Sequence, residues 1–270
     1  MRDLLVATHT PALGSGRSLR TYGVARALAA EGGLTLLYAR FGAGEPDAAF
    51  RAIPGIELCE VVPSRGARRA LTYAGARVRG VPDSFARGIS PELAGAARRL
   101  AGAADRGRVI ADGPIAAAAL AGLARRRAVI YNAHNLESAF RNDLHERGLG
   151  GPRALRAFER GLLARAAESW MVSEADMAGA RELCPRARLR YVPNVVDVSA
   201  IHPAGADTGA QRALFVADFS YEPNRNGLRF LLEGVLPLVW RELPGARLSI
   251  VGGGLVQAPS ADDRVQALGF

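Results

Sequence analysis

An α/β fold with two doubly wound domains is predicted by three features of the chain. Seven short apolar runs alternate with helical segments before residue 192. A polar stretch follows, and Ala213 to Val216 then begins a new apolar strand that leads through Tyr221-Glu222-Pro223-Asn224 into a new amphipathic helix. Between them stands Tyr191-Val192-Pro193-Asn194-Val195-Val196-Asp197, placed as a hinge. Strands that alternate with helices form a parallel sheet covered on both faces. The expected organisation is a complete Rossmann-like domain over 1–192, a hinge or linker over 193–212, and an incomplete second Rossmann-like domain over 213–270.

Leu4 to Ala7 reads as a short buried strand and Thr8 to Gly16 as a loop. Ser18 is placed to cap a helix running to Ala30, with Tyr22, Ala25, Leu28 and Ala29 on one face. Leu34 to Tyr38 and Ile56 to Val62 are the next strands, followed by a basic helix over Ala67 to Arg79. Pro91 to Ala104 is helical with proline in its first turn. Strands at Arg108 to Ala111, Ala128 to Tyr131, Ser169 to Val172 and Leu189 to Val192 are separated by helices near Ile115 to Arg125, Arg153 to Ala166 and Glu174 to Leu183. Beyond the linker come a long helix, Asn224 through Leu243, and a strand at Arg247 to Val251 that ends in Gly252-Gly253-Gly254. A further strand is expected to begin at Leu268-Gly269-Phe270, part-way through the second domain.

Composition narrows the chemistry. All 35 Lys+Arg residues are arginine, a usage typical of GC-rich bacterial genes. The absence of lysine excludes a Walker A lysine, a Schiff-base lysine and a lysine general base. A formal charge of +9 favours anionic partners such as a diphosphate or an anionic membrane surface. Aromatics make up 6% of the chain, with no basic-aromatic alternation for stacking bases, so no nucleic-acid partner is expected. Cys59 and Cys184 lie far apart without metal-ligand spacing and read as buried thiols in a reducing cytoplasm. The start is not a signal peptide, and Pro114 to Ala124 is too short to span a bilayer.

In open parallel sheets ligands bind beyond the carboxyl ends of the strands. The first such loop holds Gly14, Ser15 and Gly16, with Leu19 where a dinucleotide fingerprint needs its third glycine. By spacing alone it is a turn or an anion-binding helix start. The second holds Asn132-Ala133-His134-Asn135-Leu136-Glu137. A lone histidine is more often a packing residue, but His134 stands at a strand's carboxyl end, and Glu137 is either a polar partner or a first-turn carboxylate. His9 is a weaker candidate, and His145 and His202 read as surface residues. The third loop, Ala217 to Gly227, carries Asp218 and Arg225.

The hinge string, the His134-Asn135-Leu136-Glu137 string and the domain order resemble the GT-B glycosyltransferases, in particular the retaining, nucleotide-sugar-dependent family 4 and its bacterial exopolysaccharide subgroup. The resemblance implies transfer of a hexose from a nucleotide-diphosphate sugar to a saccharide or lipid-linked acceptor. The nucleotide sugar is then the donor substrate, and no separate cofactor is needed. It places His134 against the donor sugar as the catalytic residue, with Asn135 and Glu137 beside it. Gly14, Ser15 and Gly16 would meet the donor diphosphate and the acceptor, and Arg225 the donor phosphates. Many members carry glycine-arginine where this chain has Ala217-Asp218, and a carboxylate there would repel a diphosphate. The later part of the family's donor site lies beyond Phe270, so the chain as given is expected to show no turnover. The basic helix over Arg65 to Arg79 is either a solvated face or a peripheral contact with an anionic membrane. A non-catalytic fragment, or a binding subunit completed by another chain, is the rival reading, and an epimerase or dehydrogenase is a weaker one that the failed glycine fingerprint opposes.

Overall fold

The computed structural model describes residues 1–102, 106–140, 151–198, 201–203, 205, 209–255, 260 and 262–269. They fall into two compact units, Met1–Val198 and Ser199–Phe270.

In the first unit β1 (Arg2–Ala7) leads into α1 (Gly16–Gly32), β2 (Leu34–Ala39), α2 (Ala48–Arg51) and β3 (Ile56–Val61). Helices α3 (Gly66–Val78), α4 (Asp83–Ala86) and α5 (Pro91–Ala101) then carry the chain back to β4 (Arg106–Asp112), beside β1. From there α6 (Gly113–Ala119), β5 (Ile130–Asn132), α7 (Glu137–Phe140), α8 (Gly151–Arg165), β6 (Glu168–Met171), α9 (Glu174–Leu183) and β7 (Leu189–Tyr191) extend the sheet outward. The seven strands are parallel in the order β3-β2-β1-β4-β5-β6-β7.

This α/β architecture is the one the alternation predicts. Residues Leu4 and Val6 face α5 and α6 together with Leu37, Leu93, Val109 and Ala111. Leu5 and Ala7 face the other way, toward Val24, Leu28, Phe50 and Ile110. A strand buried on both faces cannot alternate with polar residues, which is why these segments read as continuous apolar runs. Beyond β6, α8 and α9 pack Leu162, Leu163 and Ala180 on Tyr131 and Met171. On the opposite face a groove of about 490 Å³ runs between α1 and the β4–β7 half of the sheet, past Leu28, Ile130, Trp170 and Val192.

Several boundaries differ from the sequence reading for local reasons. The cap of α1 is Ser15 rather than Ser18, because the Ser15 hydroxyl accepts the Ser18 amide at 3.2 Å. Helix α6 ends at Ala119, short of Arg125.

The second unit contains β8 (Arg212–Val216), α10 (Glu222–Phe230), a π-helical turn over Leu231–Val235, α11 (Leu236–Glu242), β9 (Arg247–Val251) and β10 (Val265–Gly269). The sheet is parallel in the order β10-β9-β8. The expected single helix from Asn224 to Leu243 is interrupted by the π turn just before Pro237. Proline lacks an amide hydrogen and clashes with the preceding turn, and a wider turn relieves both. The last strand begins at Val265, three residues before the expected Leu268. Its core joins Phe219, Leu228, Leu236, Leu248, Ile250 and Val265. Gly252, at φ 142°, lies where a side chain would overlap the Ala217 carbonyl, so glycine lets the β9 exit lie against the loop after β8.

Among the described residues no helix is long and apolar enough to cross a membrane.

Candidate functional site

The sheet order reverses between β1 and β4, so the crevice beyond their carboxyl ends is the expected ligand site of an open α/β sheet. Loops 8–15 after β1, Gly113 after β4 and 133–136 after β5 converge there. A cavity of about 100 Å³ opens among Thr8, His9, Arg17, Phe85, Asp112 and His134.

At its base lies a buried carboxylate that the sequence reading missed. Asp112 ends β4 directly beside Asn132 of β5 in the parallel register. Its Oδ1 accepts Asn132 Nδ2 at 2.7 Å and His134 Nε2 at 2.9 Å, and its Oδ2 accepts the Thr21 hydroxyl at 2.6 Å. Burial alone would raise the Asp112 carboxyl. The neighbouring His134, His9 and Thr21 outweigh it and hold the group well below the usual carboxylate range. An ionised carboxylate only accepts hydrogen bonds, so the hydrogen His134 shares with it sits on Nε2. His134 Nδ1 is buried without a hydrogen-bond partner. In the neutral ring that nitrogen is a bare acceptor.

Gly113 makes this arrangement possible. It adopts φ 82°, and an added Cβ would lie 3.0 Å from His134 Cε1 and 3.3 Å from Nδ1. Any other residue would be strained and would press on the imidazole. The following loop is held from outside. Leu136 N–H donates to Asp176 at 3.0 Å. The Glu137 and Ser138 amides donate to the two carboxylate oxygens of Glu159 at 2.7 and 2.9 Å. Glu159 is buried, and burial raises its carboxyl above the ordinary value against the opposing pull of those hydrogen bonds.

A second layer runs from the site to the segment 192–197. Arg20, 4% exposed on α1, donates to Asn132 Oδ1 at 2.7 Å, to the Val192 carbonyl at 2.7 Å and to Asn194 Oδ1 at 3.2 Å. One helical turn on, Gly23 leaves room for Val195, and Arg26 pairs with Asp197 at 3.0 Å. The segment 192–197 is thus fastened along α1 within the first unit, and the same guanidinium braces Asn132 and through it Asp112.

The sequence candidates are distributed as follows. His134 is buried at the site, and Asn135 next to it is half-buried. Glu137 is also buried, on α7 beyond the cavity. Gly14, Ser15 and Gly16 are exposed at the start of α1, Ser15 being the cap. His9 lies in the cavity wall with Nε2 unpartnered, and burial lowers its titration while Asp112 partly opposes that. Arg225 belongs to the second unit, where its guanidinium donates to the Phe219 and Ser220 carbonyls at 2.8 and 2.7 Å. Asp218 accepts the Ser220 amide at 2.9 Å and its hydroxyl at 2.6 Å. His202 is exposed, and His145 lies outside the described residues. The described residues hold no cluster of three or more His, Cys, Asp or Glu placed to bind a metal ion.

Asp112, Asn132, Thr21 and Arg20 are the site residues that sequence reasoning missed. An Asp-Gly pair closing the apolar run Val109-Ile110-Ala111 was the available signal for Asp112. Nothing in the sequence distinguishes Arg20 from the other arginines.

No family model matches the chain, and no curated protein matches it in sequence. Its architecture does match solved structures. Sucrose-phosphate synthase from Thermosynechococcus elongatus superposes with a TM-score of 0.64 at 14% identity, over 95% of this chain and 64% of that one. Phytolacca americana UGT2, solved with UDP-2fluoro-glucose and pterostilbene, gives 0.52 at 12% identity over 100% and 71%. TcCGT1 in complex with UDP gives 0.51 at 14% identity over 93% and 63%. The chain therefore spans about two thirds of the length of these neighbours. They are GT-B glycosyltransferases, and the α/β fold of this chain is the one their domains share.

Proposed function

We propose that the chain is a glycosyltransferase component that takes a hexose from a nucleotide-diphosphate sugar toward a saccharide or lipid-linked acceptor, with retention of configuration. The observation that carries this reading is His134, locked through Nε2 to buried Asp112 at the sheet's switch point, with Nδ1 buried and without a hydrogen-bond partner beside the cavity that His134 lines. An unpartnered buried imidazole nitrogen wants a hydrogen-bond donor, and a sugar hydroxyl supplies one. In such a transfer the departing diphosphate needs electrostatic stabilisation rather than a protein nucleophile. Arg17 in the cavity wall and the amides at the start of α1, next to Gly14, Ser15 and Gly16, would provide it. Retention and family 4 membership are supported by the hinge string and by His134-Asn135-Leu136-Glu137.

A binding role without turnover is the second reading. It is favoured by the loop after β8, where Asp218 adds negative charge and Arg225 is engaged by main-chain carbonyls. Calorimetric titration with a panel of nucleotide sugars, paired with NMR detection of the product anomer, separates the two. Run on this chain and on one extended by any downstream reading frame, product of retained anomeric configuration from either supports transfer, and binding without product from both supports the second reading. Absence of binding by every donor rules out both.

A further inference from the structure

Arg20 is a buried cation whose Nε has no hydrogen-bond partner among the described residues, so its two Nη groups alone orient the guanidinium. One donates to the Val192 carbonyl and Asn194 Oδ1, the other to Asn132 Oδ1. Burial lowers the Arg20 titration while Asp112 and Asp176 oppose that, and a guanidinium stays charged. The contact to Asn132 decides which way that amide faces. Asn132 is fully buried, with Oδ1 toward Arg20 and Nδ2 donating to Asp112 Oδ1 at 2.7 Å. Turned over, it would set its NH2 group against a guanidinium, which accepts nothing, and its oxygen against an ionised carboxylate, which donates nothing. Buried donors would then lack acceptors, a penalty that fixes such a network in one state. The Asp112 oxygen that Asn132 holds is the same one that receives His134 Nε2 at 2.9 Å.

We propose that Arg20 is a positioning residue that transmits the seating of segment 192–197 to the His134 ring, by way of the Asn132 amide and Asp112. With the segment seated on α1, the guanidinium is held between the Val192 carbonyl and Asn132. The amide then donates to Asp112, and the carboxylate keeps the ring hydrogen on Nε2, which leaves Nδ1 an acceptor. With the segment lifted, the guanidinium loses its outer acceptors, Asn132 loses its preferred orientation, and the hydrogen is no longer confined to Nε2. Coupling between separated groups needs an element with two discrete arrangements, and the Asn132 amide is one. The proposal deepens the reading of His134 as the functional residue. Its test reads the ring itself, so a chain that transfers no sugar leaves it standing.

The measurement is ¹⁵N NMR of the full chain labelled at histidine, which gives the ratio of the Nε2–H to the Nδ1–H form of the neutral His134 ring. Arg20→Lys keeps the charge, but a single nitrogen cannot bridge Asn132 and the Val192 carbonyl. The ratio should fall roughly 5-fold, the worth of one such hydrogen bond. Gly23→Leu/Asp197→Ala leaves Arg20, Asn132, Asp112 and His134 in place and acts on the segment alone. A Cβ at Gly23 would already lie 3.2 Å from Val195 Cγ2, so leucine wedges the segment outward, and the second change removes the Asp197 pairing with Arg26. Here the ratio should fall at least ~2-fold. An unchanged ratio in Arg20→Lys, with a native circular dichroism spectrum, would reduce Arg20 to a brace and overturn the proposal. An unchanged ratio in Gly23→Leu/Asp197→Ala would overturn it too, by severing the segment from the ring, and this variant decides alone if Arg20→Lys fails to fold.

Discussion

The two units use the same parallel β-α-β rule and finish it differently. In the first, β1 and β2 are buried almost end to end, with helices on both faces. In the second, α10 and α11 cover one face of three strands, and Leu214, Val216 and Leu268 remain 65%, 66% and 62% exposed. An apolar strand sequence therefore states what a strand can bury, not what is there to bury it. The first unit has the layers to enclose a charged network such as Asp112 with His134, whereas two carboxylates of the second, Asp218 and Asp262, satisfy themselves locally at the surface.

The sharpest way to break this contrast is to remove the same amount of core from each unit. Leu5→Ala and Ile250→Ala both open fully buried sites, and each should cost about 2–5 kcal/mol. A core as small as that of the second unit supplies only about 3–5 kcal/mol in all. Ile250→Ala is therefore expected to unfold the second unit and leave a protease-resistant core ending between Val192 and Arg212, while Leu5→Ala lowers the first unit's midpoint without unfolding it. Equal protease resistance throughout both variants would erase the distinction.

Next in size is Asp112→Ala, which strands the Asn132, Thr21 and His134 donors in the interior. A loss of about 3 kcal/mol is expected from breaking such a buried charged network, confined to the first unit in urea unfolding followed by residue-resolved hydrogen exchange.

The pH dependence follows from the same group. Asp112 titrates lower in the folded state than in the unfolded chain. Its contribution is therefore fully present above the unfolded value of about 4 and is lost as pH falls through the folded one. Acid unfolding of the first unit should steepen below about pH 4 and flatten in Asp112→Asn. Asp218 and Asp262 are also lowered, the first by the Ser220 hydroxyl and the second by Arg264, but both are surface groups. No comparable acid step is expected from the second unit.

The smallest effect is at the α1 cap. Ser15→Ala should cost about 1 kcal/mol in the first unit's thermal stability, and a neutral result would show that the Ser18 amide finds water as readily.

Much of this was legible in the sequence. The strands were, because parallel pairing forces continuous apolar runs, and Leu34 to Ala39 shows all six residues buried as that pattern requires. His134 was legible because a histidine after a strand stands out. Asp112 was not, since an Asp-Gly pair after a strand is also an ordinary turn, and only the β4–β5 register places it beside Asn132. The Arg20 contacts to Asn132 and Val192 span 112 and 172 residues of chain, a separation that no local pattern records. The π turn ahead of Pro237 went unread because helical periodicity continues on both sides of it.

The placement of His134 on a buried carboxylate is tested most directly by the ¹⁵N spectrum of histidine-labelled protein. Exposed His202 serves as the internal reference, and a His134→Gln variant assigns the signal. The neutral His134 ring should carry its hydrogen on Nε2, leave Nδ1 unprotonated, and lose that preference in Asp112→Asn. A neutral ring with its hydrogen on Nδ1 would break the Asp112 contact and return His134 to the status of a packing residue.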